Sequence, residues 1–102
     1  IDEAHSVGVV GDNLMGVIDL YKIPTVNTIK IGTLGKALGS YGAYILASKE
    51  IISFLENRAK GIIYTTALSN FDTMYAYFSL KYIKENLDML QFEIKIRKDI
   101  LN

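Results

Sequence analysis

The sequence contains no cysteine, no tryptophan, one proline and one histidine. Without cysteine there is no disulfide framework and no thiolate metal site, and a lone histidine cannot assemble a zinc centre, so no metal is expected. An excess of charge of one sign is also missing. Eleven Lys and Arg balance eleven Asp and Glu, and no local run of Lys or Arg supplies the basic face on which phosphate-driven nucleic-acid binding depends. No apolar run approaches the roughly 20 residues that a membrane-crossing helix needs. The expectation is a soluble, cytoplasmic protein with small-molecule partners, no nucleic acid and no membrane.

What is present is ordinary globular material: 102 residues, half of them hydrophobic, the size of one small domain. Ile1 leads straight into an acidic tetrapeptide as if a buried strand had been cut near its end, so a piece of a longer chain is expected. Ile1–Glu3 reads as a strand end, and 4–11 as the loop leaving it, with Gly8 and Gly11 free to take positive φ. Segment 14–21 can form two helical turns capped by Asp12 or Asn13. After Pro24, alternation over 25–31 suits a strand. Four glycines at 32, 35, 39 and 42 follow, then a short apolar strand over 43–47. Ser48 can cap a helix over 49–60 that Gly61 breaks, and 62–66 reads as another strand. Ser69 and Asp72 resemble a capping box. They open a helical stretch with Phe71, Met74, Tyr75, Phe78 and Tyr82 on its apolar face, which is either one helix or two broken near Asn86. Strands alternating with helices imply an α/β layered fold.

The tetrapeptide DEAH at residues 2–5 names a class of nucleic-acid-unwinding ATPases, but such enzymes need a phosphate loop of the form GxxxxGK[ST]. The only GK pair is Gly35–Lys36. Five residues before Gly35 stands Lys30 where glycine is required, and Ala37 has no hydroxyl for magnesium. The loop would also follow the acidic motif instead of preceding it.

Pyridoxal phosphate (PLP) makes different demands: an amine to bind its aldehyde, a carboxylate facing the pyridine nitrogen, and donors for its phosphate. Lys36, set in TLGKALG, offers the amine. Asp2 offers the carboxylate, whose charge keeps the pyridine nitrogen protonated. His5 can hydrogen-bond the ring's phenolic oxygen. Thr33 can place its hydroxyl on the phosphate, and Thr65 and Thr66 are further donors. Taken singly, each of these residues is more often an ordinary surface, loop or strand group than a cofactor ligand.

Together they carry a resemblance. DEAHSVGVVG, GTLGKALGSYGAYILAS and NRAKGIIYTTAL, in that order, resemble the central part of the α-oxoamine synthases, over most of residues 1–68. The last third matches only in helical character. The resemblance implies a fold-type-I PLP enzyme with a mostly parallel sheet and flanking helices, working as a homodimer. Its large domain would be represented by a cofactor-anchoring core over about 1–68 and a helical segment over about 69–102. It implies Lys36 as the lysine bound to the aldehyde, Asp2 at the pyridine nitrogen, His5 at the phenolic oxygen and Thr33 at the phosphate. Either Thr65 or Thr66 would reach the phosphate of the neighbouring subunit. The implied reaction condenses an amino acid with an acyl thioester and releases carbon dioxide.

Two positions depart from the family pattern: Leu14, where glycine is usual, and Ser69–Asn70, where two prolines are usual. The family also uses residues before and after this stretch, so the 102 residues are expected not to catalyse alone. A non-catalytic remnant and an ATPase piece are the readings from other classes.

Overall fold

The computed structural model describes residues 1–102 in the order α1 (Val17–Tyr21), β1 (Lys30–Thr33), β2 (Ala43–Leu46), α2 (Lys49–Arg58), α3 (Lys60–Ile63), α4 (Asn70–Glu85) and α5 (Leu87–Leu101). Ile1–Glu3 lies parallel to β1: Ile31 N–H donates to the Ile1 carbonyl at 2.9 Å and Glu3 N–H to the Ile31 carbonyl at 2.7 Å, pairing Asp2 with Ile31. β2 pairs with β1 antiparallel, Lys30 opposite Leu46 and Thr33 opposite Ala43. Within this stretch the parallel contribution therefore comes from residues 1–3, and the longer ladder is antiparallel.

Side chains alternate across a strand and directly paired residues share a face. Asp2, Ile31, Thr33, Ala43 and Ile45 consequently lie on one face, where α2 and α3 bring Ile52, Leu55 and Ile62 over the sheet. Glu3, Lys30, Gly32 and Tyr44 lie on the other, beneath α1.

Several expected elements shift. The strand expected over 25–31 begins only at Lys30 and runs to Thr33; Asn27 turns the preceding chain with a φ of 60°, a left-handed conformation that asparagine tolerates. The strand expected over 62–66 is not a strand: Lys60–Ile63 make one helical turn. β-branched residues favour strands only where a neighbouring edge is available to pair, and here none borders Ile62–Thr66. The helix break falls at Ala59, before Gly61. Neither Asp12 nor Asn13 caps α1; Gly16 stands at that position without a side-chain bond.

Other local signals hold. Ser48 caps α2, accepting from Ile51 N–H at 3.4 Å. Ser69 accepts from Asp72 N–H at 3.0 Å and donates to its carboxylate at 2.6 Å. Asn70 is the first helical residue, a place where proline would also fit without cost. Asn86 separates α4 from α5.

The core is thin. Leu14, Leu38 and Ile83 form its buried centre, flanked by Met15, Leu34, Leu87, Leu90 and Ile94. The expected apolar face of α4 points outward instead: Phe71 is 76% exposed and Phe78 55%, while Ala76 and Ile83 are the buried residues of that helix. A radius of gyration of 15.2 Å, against about 13 Å for a compact chain of this length, agrees with such an open shape.

Leu14 has a φ of 56° in the left-handed region that favours glycine, yet is only 3% exposed. Its side chain anchors the core while its backbone is strained. Leu14→Gly in the intact protein would relieve roughly 1 kcal/mol of strain and forfeit burial worth roughly 2–5 kcal/mol. Urea unfolding should therefore show a net loss of about 1–4 kcal/mol; a gain in stability would mean that strain outweighs packing at this position.

Asp19 ties down the loop before α1. Its carboxylate accepts from Asn13 N–H at 2.6 Å, the Asn13 side chain at 3.0 Å, Met15 N–H at 3.3 Å and Lys22 at 3.3 Å. Burial alone would raise its pKa, but the bonds from Asn13, Met15 and Lys22 outweigh it and lower the value from 3.8 to about 2. A depressed carboxylate stabilises the fold fully above its unfolded pKa, and that contribution is lost as pH falls through the folded value. Acid unfolding followed by circular dichroism should show this loss between about pH 4 and pH 2. Asp19→Asn should flatten that limb, and an unchanged acid profile would contradict the clasp.

Candidate active site

Two loops meet at one end of the small sheet. The first, residues 4–8, leaves the parallel segment in a tight turn: the Glu3 carbonyl accepts from Ser6 N–H at 3.1 Å and Val7 N–H at 3.3 Å. The second, residues 34–40, leaves β1. It closes through Ser40 N–H to the Leu34 carbonyl at 2.8 Å and Gly39 N–H to the Lys36 carbonyl at 3.0 Å. Leu38 pegs this second loop into the core at 2% exposure. Two serines fasten it to α4: the Ser79 hydroxyl donates to the Leu38 carbonyl at 2.8 Å, and the Ser40 hydroxyl donates to the Asp72 carbonyl at 2.7 Å. With Leu38 held inward, Lys36 is left on the outside of the turn.

The two loops touch directly. Gly8 has a φ of 83°, and a Cβ on it would come within 2.6 Å of Ala37 Cβ, so only glycine allows this approach. Beside that contact the Lys36 ammonium meets the His5 ring, bonded to Nε2 and 3.3 Å from Nδ1. The ammonium can only donate, which makes the imidazole nitrogen the acceptor. An amine and an imidazole 31 residues apart in sequence are thus brought together by backbone geometry.

Lys36 also borders a cleft of about 1040 Å³ whose walls include Thr33, Thr65, Thr66 and Tyr41. Four of the expected site residues, Lys36, Thr33, Thr65 and Thr66, therefore share one cavity. The Thr33 hydroxyl donates to the Gly42 carbonyl at 3.0 Å and accepts from Gly35 N–H at 3.1 Å, so its single proton holds the lysine loop closed. Thr65 donates to the Gly61 carbonyl.

Asp2 stands apart from both groupings. It is exposed, on the sheet face shared with Thr33, and its Oδ1 accepts from Ala4 N–H at 2.9 Å. It makes no ion pair with Lys36 and does not line the cleft; what links the two is the short turn from Asp2 to His5.

Glu3, next to Asp2 at the same strand end, is fully buried. Oε2 accepts from Val17 N–H at 2.8 Å and from the Ser6 hydroxyl, and Oε1 from Ile18 N–H at 2.9 Å. Lys30 Nζ lies 4.0 Å away and donates to the Met15 carbonyl at 2.6 Å. On the same face the Tyr44 phenol is pushed above its ordinary pKa by burial and, secondarily, by the Glu3 charge. The one available sequence signal was the alternation that puts Glu3 on the opposite face from Asp2.

A family model described as aminotransferase class I and II matches residues 1–101. The chain belongs to that family. Among its curated relatives, the 8-amino-7-oxononanoate synthase of Helicobacter pylori is 45% identical over 102 residues, covering 99% of this chain and 27% of that protein. The enzyme of the same name from Geotalea daltonii is 50% identical over 68 residues, covering 67% of this chain and 17% of its own. Among solved structures, 8-amino-7-oxononanoate synthase from Francisella tularensis superposes with a TM-score of 0.72 at 39% identity, over 81% of this chain and 25% of that one. A serine palmitoyltransferase from S. paucimobilis with bound PLP shares the fold at a TM-score of 0.71 and 23% identity, over 81% and 22% of the two chains. The chain thus spans about a quarter of the length of the relatives it matches. The α/β fold expected for the class I and II family is the one these structures share.

Proposed function

We propose that this chain is the cofactor-anchoring part of a PLP-dependent 8-amino-7-oxononanoate synthase, which joins L-alanine to a pimeloyl thioester with release of carbon dioxide in biotin biosynthesis. The observation that carries the reading is the meeting of Lys36 and His5 at the mouth of a threonine-lined cleft. A free-standing surface lysine has no reason to be bracketed by a Gly8–Ala37 contact and fastened to α4. The similarity to enzymes of that name selects this synthase over glycine C-acetyltransferase and 5-aminolevulinate synthase, which run related condensations with other amino acids and acyl donors.

The residues present suit the cofactor. Lys36 supplies an exposed amine, His5 an imidazole beside it, and Asp2 a carboxylate with one oxygen, Oδ2, outside its bond to Ala4. PLP, when bound, supplies an aldehyde for the lysine and an electron-withdrawing ring. We assign Asp2 to hold the proton on the pyridine nitrogen, and His5 to orient the ring through its phenolic oxygen. Lys36 would bind the cofactor and, once displaced by the amino acid, move protons at the substrate's α-carbon. For the phosphate we assign Thr33, and for the phosphate held by the neighbouring subunit Thr65 or Thr66. Thr65 already donates to the Gly61 carbonyl, which favours Thr66 of that pair, and Thr33 would exchange its Gly42 acceptor for the phosphate.

We further assign this enzyme to the cytoplasm, as a homodimer accepting its acyl group from coenzyme A or an acyl carrier protein. No helix is long and apolar enough to cross a membrane, and the exposed aromatic face of α4 supports burial against further protein. Residues 1–68 would form the anchoring core of the large domain and residues 69–102 the helical segment leading out of it.

Incubating the intact protein with PLP, reducing with borohydride and mapping by mass spectrometry should place a pyridoxyl group on Lys36. Lys36→Ala should lose both the label and at least about 99% of synthase activity. Label on a different lysine, or none, would refute the assignment. Activity with glycine and a short acyl thioester in place of alanine and the pimeloyl group would move the reading to the neighbouring enzymes.

A further inference from the structure

Glu3 touches neither the cleft nor Lys36, yet it is the most completely enclosed charged side chain in the molecule. We propose that Glu3 is a positioning residue, whose buried carboxylate fixes the turn that presents Asp2 and His5 to the cofactor. The inference rests on the PLP reading and adds to it a residue without direct cofactor contact.

Both ends of the residue are held. Through its backbone, Glu3 donates to the Ile31 carbonyl at 2.7 Å and accepts from Ser6 at 3.1 Å and Val7 at 3.3 Å, so its main chain sets both the register against β1 and the turn containing His5. Through its side chain it satisfies Val17 N–H and Ile18 N–H, the first two donors of α1, which have no partner within the helix. The Ser6 hydroxyl closes the circuit from within the His5 loop itself. Gly16 is fitted to this arrangement: its φ is 103°, and a Cβ there would overlap the Glu3 carboxylate.

The site is specific for a carboxylate, because both oxygens accept. An amide at this position would aim an NH2 group at another donor, leaving an N–H buried without a partner. Aspartate is one methylene shorter and cannot reach α1 from the same backbone position. Displacement of the carboxylate would propagate to Asp2, one residue before it, and His5, two residues after it, because those residues share its turn.

The test uses the intact protein, with Glu3→Gln and the milder Ser6→Ala, which removes a single donor and leaves both N–H bonds in place. Four quantities are read: pyridoxyl label on Lys36, the PLP dissociation constant by equilibrium dialysis, the pH at which the bound cofactor's visible absorbance titrates, and the apo-protein melting temperature. Positioning predicts that Ser6→Ala melts within a few degrees of wild type and labels on Lys36. Its PLP dissociation constant should nevertheless be raised about three- to tenfold, with the spectral pH midpoint displaced. Glu3→Gln should show the same changes at larger size. If wild type labels on Lys36 while Ser6→Ala retains both the wild-type dissociation constant and the wild-type midpoint, the positioning role is overturned and the PLP reading stands. If wild type does not label on Lys36, both are overturned. Should Glu3→Gln fail to fold, Ser6→Ala decides.

Discussion

The structure turns on one buried carboxylate. Glu3 joins three things that are separate in sequence: the parallel segment at residues 1–3, the start of α1 fourteen residues later, and the turn that carries His5. A buried acid is costly unless every lone pair finds a donor, and here the donors are two helix-end amides and a hydroxyl, with Lys30 close by. No side-chain polar atom in the interior lacks a partner. The hydrophobic core formed by Leu14, Leu38 and Ile83 is too small to define the loops by packing alone, so directional bonds take over that work.

The chemistry follows from the same constraint. A lysine becomes useful when its surroundings decide where its amine goes. Leu38 is driven inward by burial and Ser79 and Ser40 fasten the loop to α4, which leaves Lys36 facing outward. Gly8 admits Ala37 at a distance no other residue would allow. The amine then meets His5 from a loop whose position Glu3 controls. The α4 helix serves this end with an inner face of Ala76, Ser79 and Ile83, and Tyr75 lies against Gly39 of the lysine loop.

Much of this was legible in the sequence, and the parts that were not share a physical cause. Local signals read well where they act within a few residues: the Ser48 cap and the Ser69–Asp72 box both depend on neighbours three positions apart. The close approach at the lysine loop is made by Gly8 against Ala37, not by the glycines that flank Lys36 in sequence. What failed needed partners far along the chain. Ile62–Thr66 has strand-forming residues but no edge to pair with. The aromatic stripe of α4 is amphipathic by pattern, but a pattern says which residues share a face and not which face is covered. Nothing local announces that the amides of Val17 and Ile18 will fold back onto Glu3. Leu14 was noticed only as a departure from the usual glycine, and its left-handed backbone supplies the reason that glycine is usual there.

The claim that Glu3 organises the site can be tested at the two amides it binds. Amides in the first turn of a short helix ordinarily exchange with solvent at rates close to those of an unfolded chain, because they lack intrahelical acceptors. Native-state hydrogen exchange of the intact protein should show Val17 and Ile18 slowed by about a hundredfold or more relative to unstructured peptide. Exchange of both at the unstructured rate would mean that the carboxylate does not hold them, and the account of the site would fail with it.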